Sequence, residues 1–119
     1  MPAIDLATFK PQSAGELAQG IFGQLLEVLG NSWIEAKSEI GDDLDAYSSS
    51  VFRTIERLAN GEISEKKADV LLHMQELFLN QILLNVEFWT YVVAQRALDA
   101  VAAVISAAVR NLTGFQLNF

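Results

Sequence analysis

The sequence predicts an all-α protein, a long antiparallel helical hairpin that assembles into an oligomeric bundle or a helical filament. Apolar residues recur at steps of three and four through three long segments, which is the spacing of one face of an α-helix. From Leu77 to Val109, thirty-three residues carry only three formal charges, and apolar side chains fall on every side of a helix. A helix of that kind must be buried in a larger core, a membrane or an assembly. The sequence therefore predicts self-association.

The first helix is predicted over residues 14–29. Ser13 followed by Glu16 fits a capping box, in which the serine hydroxyl accepts a hydrogen bond from the backbone three residues later. Apolar residues then repeat at helical spacing to the end of the segment. Residues 1–12, which contain both prolines of the chain, are predicted to form an extended N-terminal segment.

The second helix is predicted over residues 32–60. Gly30 is typical of the position just past a helix end, and Ser32 with Glu35 offers a second capping box. Apolar positions from Trp33 onward keep a helical step that is in a new phase relative to the first helix. A break between the first two helices is therefore predicted at Gly30.

The third helix is predicted over residues 65–112 as one unbroken helix. Ser64 is a good N-cap, Gly114 is placed as a C-terminal cap, and neither glycine nor proline stands between them. Such a helix would span roughly 70 Å and pair antiparallel with the first two helices, whose combined length is similar. The alternative is a bend at one of three polar residues: Asn80, Asn85 and Thr90.

Ten apolar residues of the third helix and the C-terminal tail are predicted to form the interface between subunits. They are Phe88, Trp89, Tyr91, Val92, Val101, Val104, Ile105, Phe115, Leu117 and Phe119. Packing of the alanine-rich part of this helix against the first helix is the competing interpretation. Residues 115–119 alternate apolar and polar and are predicted to be an extended tail, which either folds back over the bundle or inserts into a groove of a neighbour.

Composition limits the class of protein and of partner. One domain is predicted for the 119 residues, and 51% hydrophobic with 19% charged residues excludes a disordered chain. The net charge of -7 argues against a nucleic-acid partner, because phosphates would be repelled. Cysteine is absent, which removes disulfides and thiolate metal sites.

The N-terminal residues show no basic segment followed by a long apolar run, so synthesis in the cytoplasm without a cleaved signal peptide is predicted. A membrane span needs about 20 mostly apolar residues. The longest charge-free runs, Leu77–Val86 and Ala100–Val109, have ten residues each. Membrane association is therefore left open but is not favoured.

No catalytic, cofactor-binding or metal-binding residue is predicted, and the chain is expected not to be an enzyme. His73 is the single histidine, and with Glu76 it has the reverse order of the Glu-x-x-His pair found in di-iron bundles. A surface or edge position is expected for it. The acids between Glu35 and Asp45 lack the glycine and the spacing of a calcium loop, so a solvated face is expected for them.

Three stretches of the third helix carry a resemblance to a known family. Asp69–Leu77, Val93–Ala97 and Val109–Gln116 resemble the C-terminal helix of type III secretion inner-rod and needle proteins. Ala59–Glu62 stands where needle proteins commonly have a turn that contains proline. The resemblance implies a small helical-hairpin subunit that is exported without a cleaved signal and polymerises helically around a secretion channel.

Two functional hypotheses follow from the sequence. The first is a non-enzymatic, self-assembling structural subunit, a rod-like or needle-like component of a protein secretion channel, whose partners are other copies of itself and other proteins of the apparatus. The second is a compact homo-oligomeric helical bundle that acts as a protein-binding adaptor, a chaperone or a phage structural component. Growth of particle length with concentration separates them, since a head-to-tail interface does not close.

Overall fold

The computed structural model describes residues 4–117, and these form four α-helices that pack side by side. The helices are α1 (Ala14–Leu29), α2 (Asn31–Ala59), α3 (Glu65–Leu84) and α4 (Tyr91–Thr113). Each helix packs against the next one along the chain, α4 packs against α1, and α2 and α4 also meet across the centre. The predicted all-α class is confirmed.

The first two helices are separated where the sequence indicated. The Ser13 hydroxyl accepts a hydrogen bond from the backbone N–H of Glu16 at 3.1 Å, so the predicted N-terminal cap of α1 is present. Gly30 lies between the helices with φ of 56°, a left-handed conformation that favours glycine. The second capping box is not formed, because α2 already begins at Asn31 and Gly30 precedes it without a side-chain cap.

The α1 helix folds back onto α2 instead of extending it. The ring of Phe22 stacks on Trp33 with 5.4 Å between centroids, and Nζ of Lys37 lies 5.6 Å from the centroid of the Phe22 ring. Phe22 lies before Gly30 in the chain, and Trp33 and Lys37 lie after it. The helices therefore form a short antiparallel pair, with the aromatic stack near their junction.

The prediction of one unbroken helix over residues 65–112 is wrong, because α3 ends at Leu84 and α4 begins at Tyr91. Two local caps make the break: the N–H of Asn85 turns back to the oxygen of Ile82 at 3.2 Å, and the Thr90 hydroxyl accepts from the N–H of Val93 at 3.2 Å. Two of the three polar residues named as alternative bend sites therefore flank the connection.

Tertiary contacts hold this connection in place. Val86 is buried within it, and Nε1 of Trp89 donates a hydrogen bond to the backbone oxygen of Ser32 at 3.1 Å. The Trp89 hydrogen bond attaches the connection to the start of α2. The burial of Val86 and the Trp89 hydrogen bond offset the helical hydrogen bonds that are lost at the break.

The break also changes the shape from a rod to a compact bundle. The radius of gyration is 13.5 Å and the principal extents are 41 × 27 × 22 Å, in place of the predicted hairpin of roughly 70 Å. Nη2 of Arg96 donates a hydrogen bond to the backbone oxygen of Val28 at 2.7 Å. This bond places the start of α4 beside the end of α1. Each of the two predicted arms of the hairpin is thus replaced by two helices that fold back on each other: α1 with α2, and α3 with α4.

Residues 4–12, which precede α1, contain no helix and dock onto the bundle. Nδ2 of Asn111 donates to the backbone oxygens of Leu6 at 3.0 Å and of Phe9 at 2.9 Å. The ring of Phe9 lies so close to Gly20 that a Cβ at this position would collide with it. The expected extended segment is therefore attached to α1 and α4 over residues 4–12, with a turn at Asp5.

The tail after α4 folds back onto its own chain over the described residues. Gly114 has φ of 80° and ends α4, as the sequence predicted for a C-terminal cap. Leu117 is buried in a groove shared by α3 and α4, and Phe115 packs partly against the core. Of the two alternatives for the tail, residues 115–117 follow the intramolecular one. Phe119 lies outside the described residues.

Candidate interaction surface

The structure separates the predicted interface residues into buried and exposed groups. Val101, Val104 and Ile105 are fully buried among core residues of the same chain. They therefore belong to the intramolecular core and not to an interface between subunits, because α4 folds back and covers them with α1 and α2. For these three residues the competing interpretation, packing within the chain, therefore holds. Leu117 of the tail is buried as well.

The remaining described members of that set lie at or near the surface. Phe88 is half exposed, Tyr91 is 76% exposed and Val92 is 66% exposed. Trp89 and Phe115 are partly buried and contact the core. The exposed members therefore cluster in the chain around the α3–α4 connection and the first turn of α4.

A larger apolar surface lies on α3, where the sequence analysis named no interface residue. Its members are at least half exposed, and we call them the α3 outer face: Val70, Met74, Leu77, Phe78 and Leu84. The spacing of four of them, at steps of four, three and seven, places them on one side of a helix. Phe78 lies beside this stripe on the same half of the helix.

The opposite side of α3 is apolar too and forms part of the core. The buried residues of α3 are Ala68, Leu72, Leu79, Ile82 and Leu83. A surface helix normally has one apolar stripe, whereas α3 has two, and its own chain covers only one of them. The sequence contains both apolar stripes of α3, each with residues at helical spacing. It does not show which of the two stripes the chain itself covers.

Charge is absent from the exposed positions of this surface. Between Val70 and Leu84 the only further exposed residue is Gln81, which is neutral, whereas His73 and Glu76 are partly exposed. Depletion of charge at the centre is what distinguishes protein interfaces from ordinary surface. The centre of the α3 outer face is therefore apolar, and the ionisable side chains of Asp69, His73 and Glu76 lie along its groove edge.

An open groove of about 540 Å³ runs along one edge of the α3 outer face, toward α4. Val70, Met74 and Leu77 contribute to it from α3, and Leu98 contributes from α4. His73 also lines it, with Nδ1 2.7 Å from the backbone oxygen of Asp69 and 3.3 Å from its carboxylate. The histidine thus takes the edge position that the sequence predicted.

Beneath the other side of α3 lies a small group of buried polar side chains. Nε2 of Gln75 donates to the hydroxyl of Thr54 at 3.1 Å, and the Ser48 hydroxyl donates to the oxygen of Leu44 at 2.8 Å. The buried hydroxyl of Tyr47 has no hydrogen-bond partner within the described residues. Burial raises the pKa of Tyr47 well above its ordinary value, and the negative charge of Glu76 raises it further.

Replacing Tyr47 with Phe should protect the fold against alkali. The unfolded tyrosine ionises at about pH 10 while the folded one stays neutral, so the Tyr47 contribution to stability is complete below pH 10 and is lost as the pH rises toward the folded pKa. The expected loss in the native chain is about 1.4 kcal/mol per pH unit in that window. Urea unfolding between pH 9 and about pH 11.5 measures it.

The matched control for this variant is Tyr91→Phe, since Tyr91 is exposed on the first turn of α4. It should keep the alkaline loss of stability, whereas Tyr47→Phe should lack it. Near neutral pH, Tyr47→Phe should be as stable as the native chain or more stable, because an unpartnered buried hydroxyl is removed. Equal alkaline profiles for the two variants would contradict the buried, neutral state of Tyr47.

The described residues also bear on metal binding and on membrane association. Among residues 4–117, no group of three or more His, Asp and Glu side chains is placed to hold a metal ion. The α4 helix is long and apolar enough to cross a membrane by length and composition alone. Half of that stretch is buried inside the chain, and a core helix passes the same criterion.

Fold and surface together define a compact, antiparallel four-helix arrangement over residues 4–117 with an apolar face on the outside of α3. No protein-family model, no curated protein and no solved structure matches this chain.

Proposed function

We propose that this chain is a non-enzymatic structural or adaptor subunit that associates with other copies of itself through the α3 outer face. The observation that carries the proposal is the second apolar side of α3, where Leu77 alone is 68% exposed. Covering a large apolar side chain contributes about 1.5 to 3 kcal/mol. Several such side chains on one helix give a partner enough free energy to bind.

The compact bundle is the version of this proposal that the fold supports better. A rod or needle built from long hairpins needs arms of about 70 Å. In this chain the helices turn back at Gly30 and at residues 85–90, and the longest extent is 41 Å. A place in a secretion channel, and export to it, rests on the resemblance of residues 69–77, 93–97 and 109–116. We therefore put forward a homo-oligomeric helical bundle with an adaptor or scaffold role.

The non-enzymatic part of the proposal rests on the side chains available. The sequence has one histidine and no cysteine. Acid–base catalysis needs two groups that are held within reach of one substrate. His73 contacts Asp69 at the edge of an open groove, and no buried nucleophile lies beside them among the residues that line it. We propose proteins as the partners of this chain, and neither nucleic acid nor a membrane.

Leu77→Glu should convert the native oligomer into a folded monomer. The mass of one chain is 13.1 kDa, and the native protein should sediment as a larger particle at micromolar concentration and dissociate on dilution. Placing a carboxylate on the exposed apolar face leaves the fold intact but makes its burial by a partner costly. Analytical ultracentrifugation over a dilution series, with circular dichroism as the test of folding, measures both.

The matched control is Ala46→Glu, which adds the same charge at an exposed position of α2. It should associate as the native chain does. A native protein that remains monomeric when its concentration is raised 100-fold within the dilution series would overturn the proposed function. Particles that keep growing with concentration would instead support the rod-like version.

A further inference from the structure

We propose that the groove between α3 and α4 binds an amphipathic helix of another protein, one that carries lysine or arginine beside its apolar residues. This inference rests on the adaptor part of the proposed function and adds the chemical class of the partner. The groove consists of two recesses that share Glu76 and Leu98 and are therefore continuous. It borders the α3 outer face, and α4 supplies its second wall.

The groove has the dimensions of a site for a short helix. Its α3 wall runs from Asp69 to Asn80, and its α4 wall runs from Gln95 to Ser106. Each wall extends about 16 Å along its helix, which is three turns and matches the spacing of three or four anchor residues on a bound helix. The recesses have volumes of about 540 and 500 Å³. Binding sites commonly measure about 300 to 1,000 Å³.

Apolar and small side chains make room for a partner in this groove. Leu98 is partly buried and Leu117 is buried, and both contribute apolar surface to the recess on the α4 side. Ala102, Ala103 and Ser106 line the same recess and have no long side chain. Because the distance between two packed helices depends on the side chains at their contact, a second helix can approach α4 closely here.

Acidic side chains line the groove, so its charge favours a basic partner. Asp69, Glu76 and Asp99 contribute carboxylates, and among the described residues no lysine or arginine lines either recess. Within residues 4–117 neither Glu76 nor Asp99 has an ion-pair partner, whereas the Asp69 carboxylate lies 3.3 Å from Nδ1 of His73. The net charge of -7 attracts a basic partner from a longer distance as well.

The nearby basic residues of the chain make other contacts. Nη2 of Arg96 donates to the backbone oxygen of Val28, and Nη2 of Arg110 donates to that of Leu6, so both arginines of α4 bind residues at or before α1. Lys66 lines a further recess at the start of α3. The carboxylates of the groove are therefore left for basic side chains of a partner.

The positions of the three carboxylates match a helical partner. Asp69 and Glu76 are seven residues apart on one wall, which is about 10 Å along α3. Asp99 lies on the other wall, in the recess that also contains Glu76. A helix with lysine or arginine seven residues apart on one flank and a further one on the other flank meets all three. Its apolar residues between the flanks then cover Leu98.

Two model peptides test the chemistry of the partner. Each is an amphipathic helix of about 14 residues, long enough to fill the groove, and combines leucine with either lysine or glutamate in the same pattern. The chain carries fluorescein on Ser49→Cys, at an exposed position of α2, and is kept at nanomolar concentration to limit self-association. In microscale thermophoresis it should bind the leucine–lysine peptide with a micromolar dissociation constant and the leucine–glutamate peptide at least tenfold more weakly. Equal binding of the two peptides, or binding of neither, would overturn the inference.

Paired charge variants separate the groove from general attraction between opposite charges. Glu76→Gln combined with Asp99→Asn should weaken binding of the leucine–lysine peptide about tenfold. Glu39→Gln combined with Asp43→Asn removes the same charge from exposed positions of α2 and should change binding less than twofold. Equal effects of the two double variants would exclude the groove as the site.

A bulky substitution and a cross-linking peptide locate the binding site. Ala102→Phe should fill the groove and weaken peptide binding at least tenfold, with an unchanged circular dichroism spectrum. A leucine–lysine peptide that carries benzophenone needs no variant of the chain and should attach to residues 69–80 or 95–106 on irradiation. Attachment only to residues outside these two walls would contradict the proposed site.

Sedimentation without peptide keeps this inference distinct from the proposed self-association. Peptide binding by a chain that stays monomeric would support the groove and overturn the self-association. A native oligomer that binds neither peptide would do the reverse. Dissociation of the native oligomer by Ala102→Phe would show that a second copy occupies the groove, and the inference of a basic partner helix would then be wrong.

Discussion

Val104→Asp should abolish folding of this chain at neutral pH, whereas Val92→Asp should leave it folded. Both valines lie on α4, but Val104 is fully buried and Val92 is 66% exposed. A carboxylate without a partner in an apolar core costs several kcal/mol even when it takes up a proton instead. Because small domains are stable by only about 5 to 15 kcal/mol, that cost removes much or all of the stability.

Thermal unfolding followed by circular dichroism at about 1 µM, where association contributes least, measures the two variants. The Val104→Asp chain should show no cooperative transition at pH 7 and should regain some structure as the pH falls, because the buried carboxyl is less costly when neutral. Val92→Asp should remain within about 1 kcal/mol of the native chain. A Val104→Asp chain that unfolds like the native one would return Val104 to an interface between subunits.

Trp89→Ala should lower the free energy of unfolding by about 3 kcal/mol, while Phe88→Ala should change it by less than about 1 kcal/mol. Trp89 packs partly against the core and its Nε1 donates to the backbone oxygen of Ser32. Its removal frees the α3–α4 connection from the α1–α2 junction. Phe88, one residue earlier, is half exposed and makes a smaller contribution to the single chain.

The same pair of variants should have the opposite effect on association. Phe88→Ala removes exposed apolar area and should weaken the proposed self-association, whereas Trp89→Ala should mainly lower the stability of the single chain. Urea unfolding at low concentration and sedimentation at high concentration separate the two quantities. Trp89→Phe, which keeps the ring but loses the donor, should cost about 1 kcal/mol. Equal stabilities of Phe88→Ala and Trp89→Ala would contradict the placement of Trp89 at the junction.

The acidic stretch of α2 lies outside the core of the bundle. The acids between Glu35 and Asp45 are all exposed on α2, as the sequence predicted for a solvated face. The core uses the buried residues of α2 and none of these acids.

Local chemistry in the sequence determined where most helices begin and end. The hydroxyls of Ser13 and Ser64 accept from the backbone N–H groups of Glu16 and Lys67, as their positions three residues apart predicted. Gly30 and Gly114 have positive φ at the two helix ends where glycine was expected. These features could be predicted because each depends on residues within one turn of helix, so no tertiary contact is needed to define them.

The exposed apolar surface could be predicted only in part from the sequence. Phe88, Tyr91 and Val92 were named from the apolar stretch and are exposed, whereas Val101, Val104 and Ile105 were named for the same reason and are buried. Composition alone treats these six residues alike. Which apolar side chain meets the chain's own helices and which one meets water depends on how α4 is oriented against α1 and α2.

The break between α3 and α4 is what only the tertiary structure decided. Asn85 and Thr90 can end and begin a helix, but without glycine or proline the stretch is equally compatible with one long helix. Folding back buries Val86 and the inner side of α4, and it brings Trp89 and Arg96 into hydrogen bonds with the backbone oxygens of Ser32 and Val28, more than fifty positions away. The sequence determined how much apolar surface had to be covered, and long-range packing decided that the chain's own helices cover most of it and leave the outside of α3 exposed.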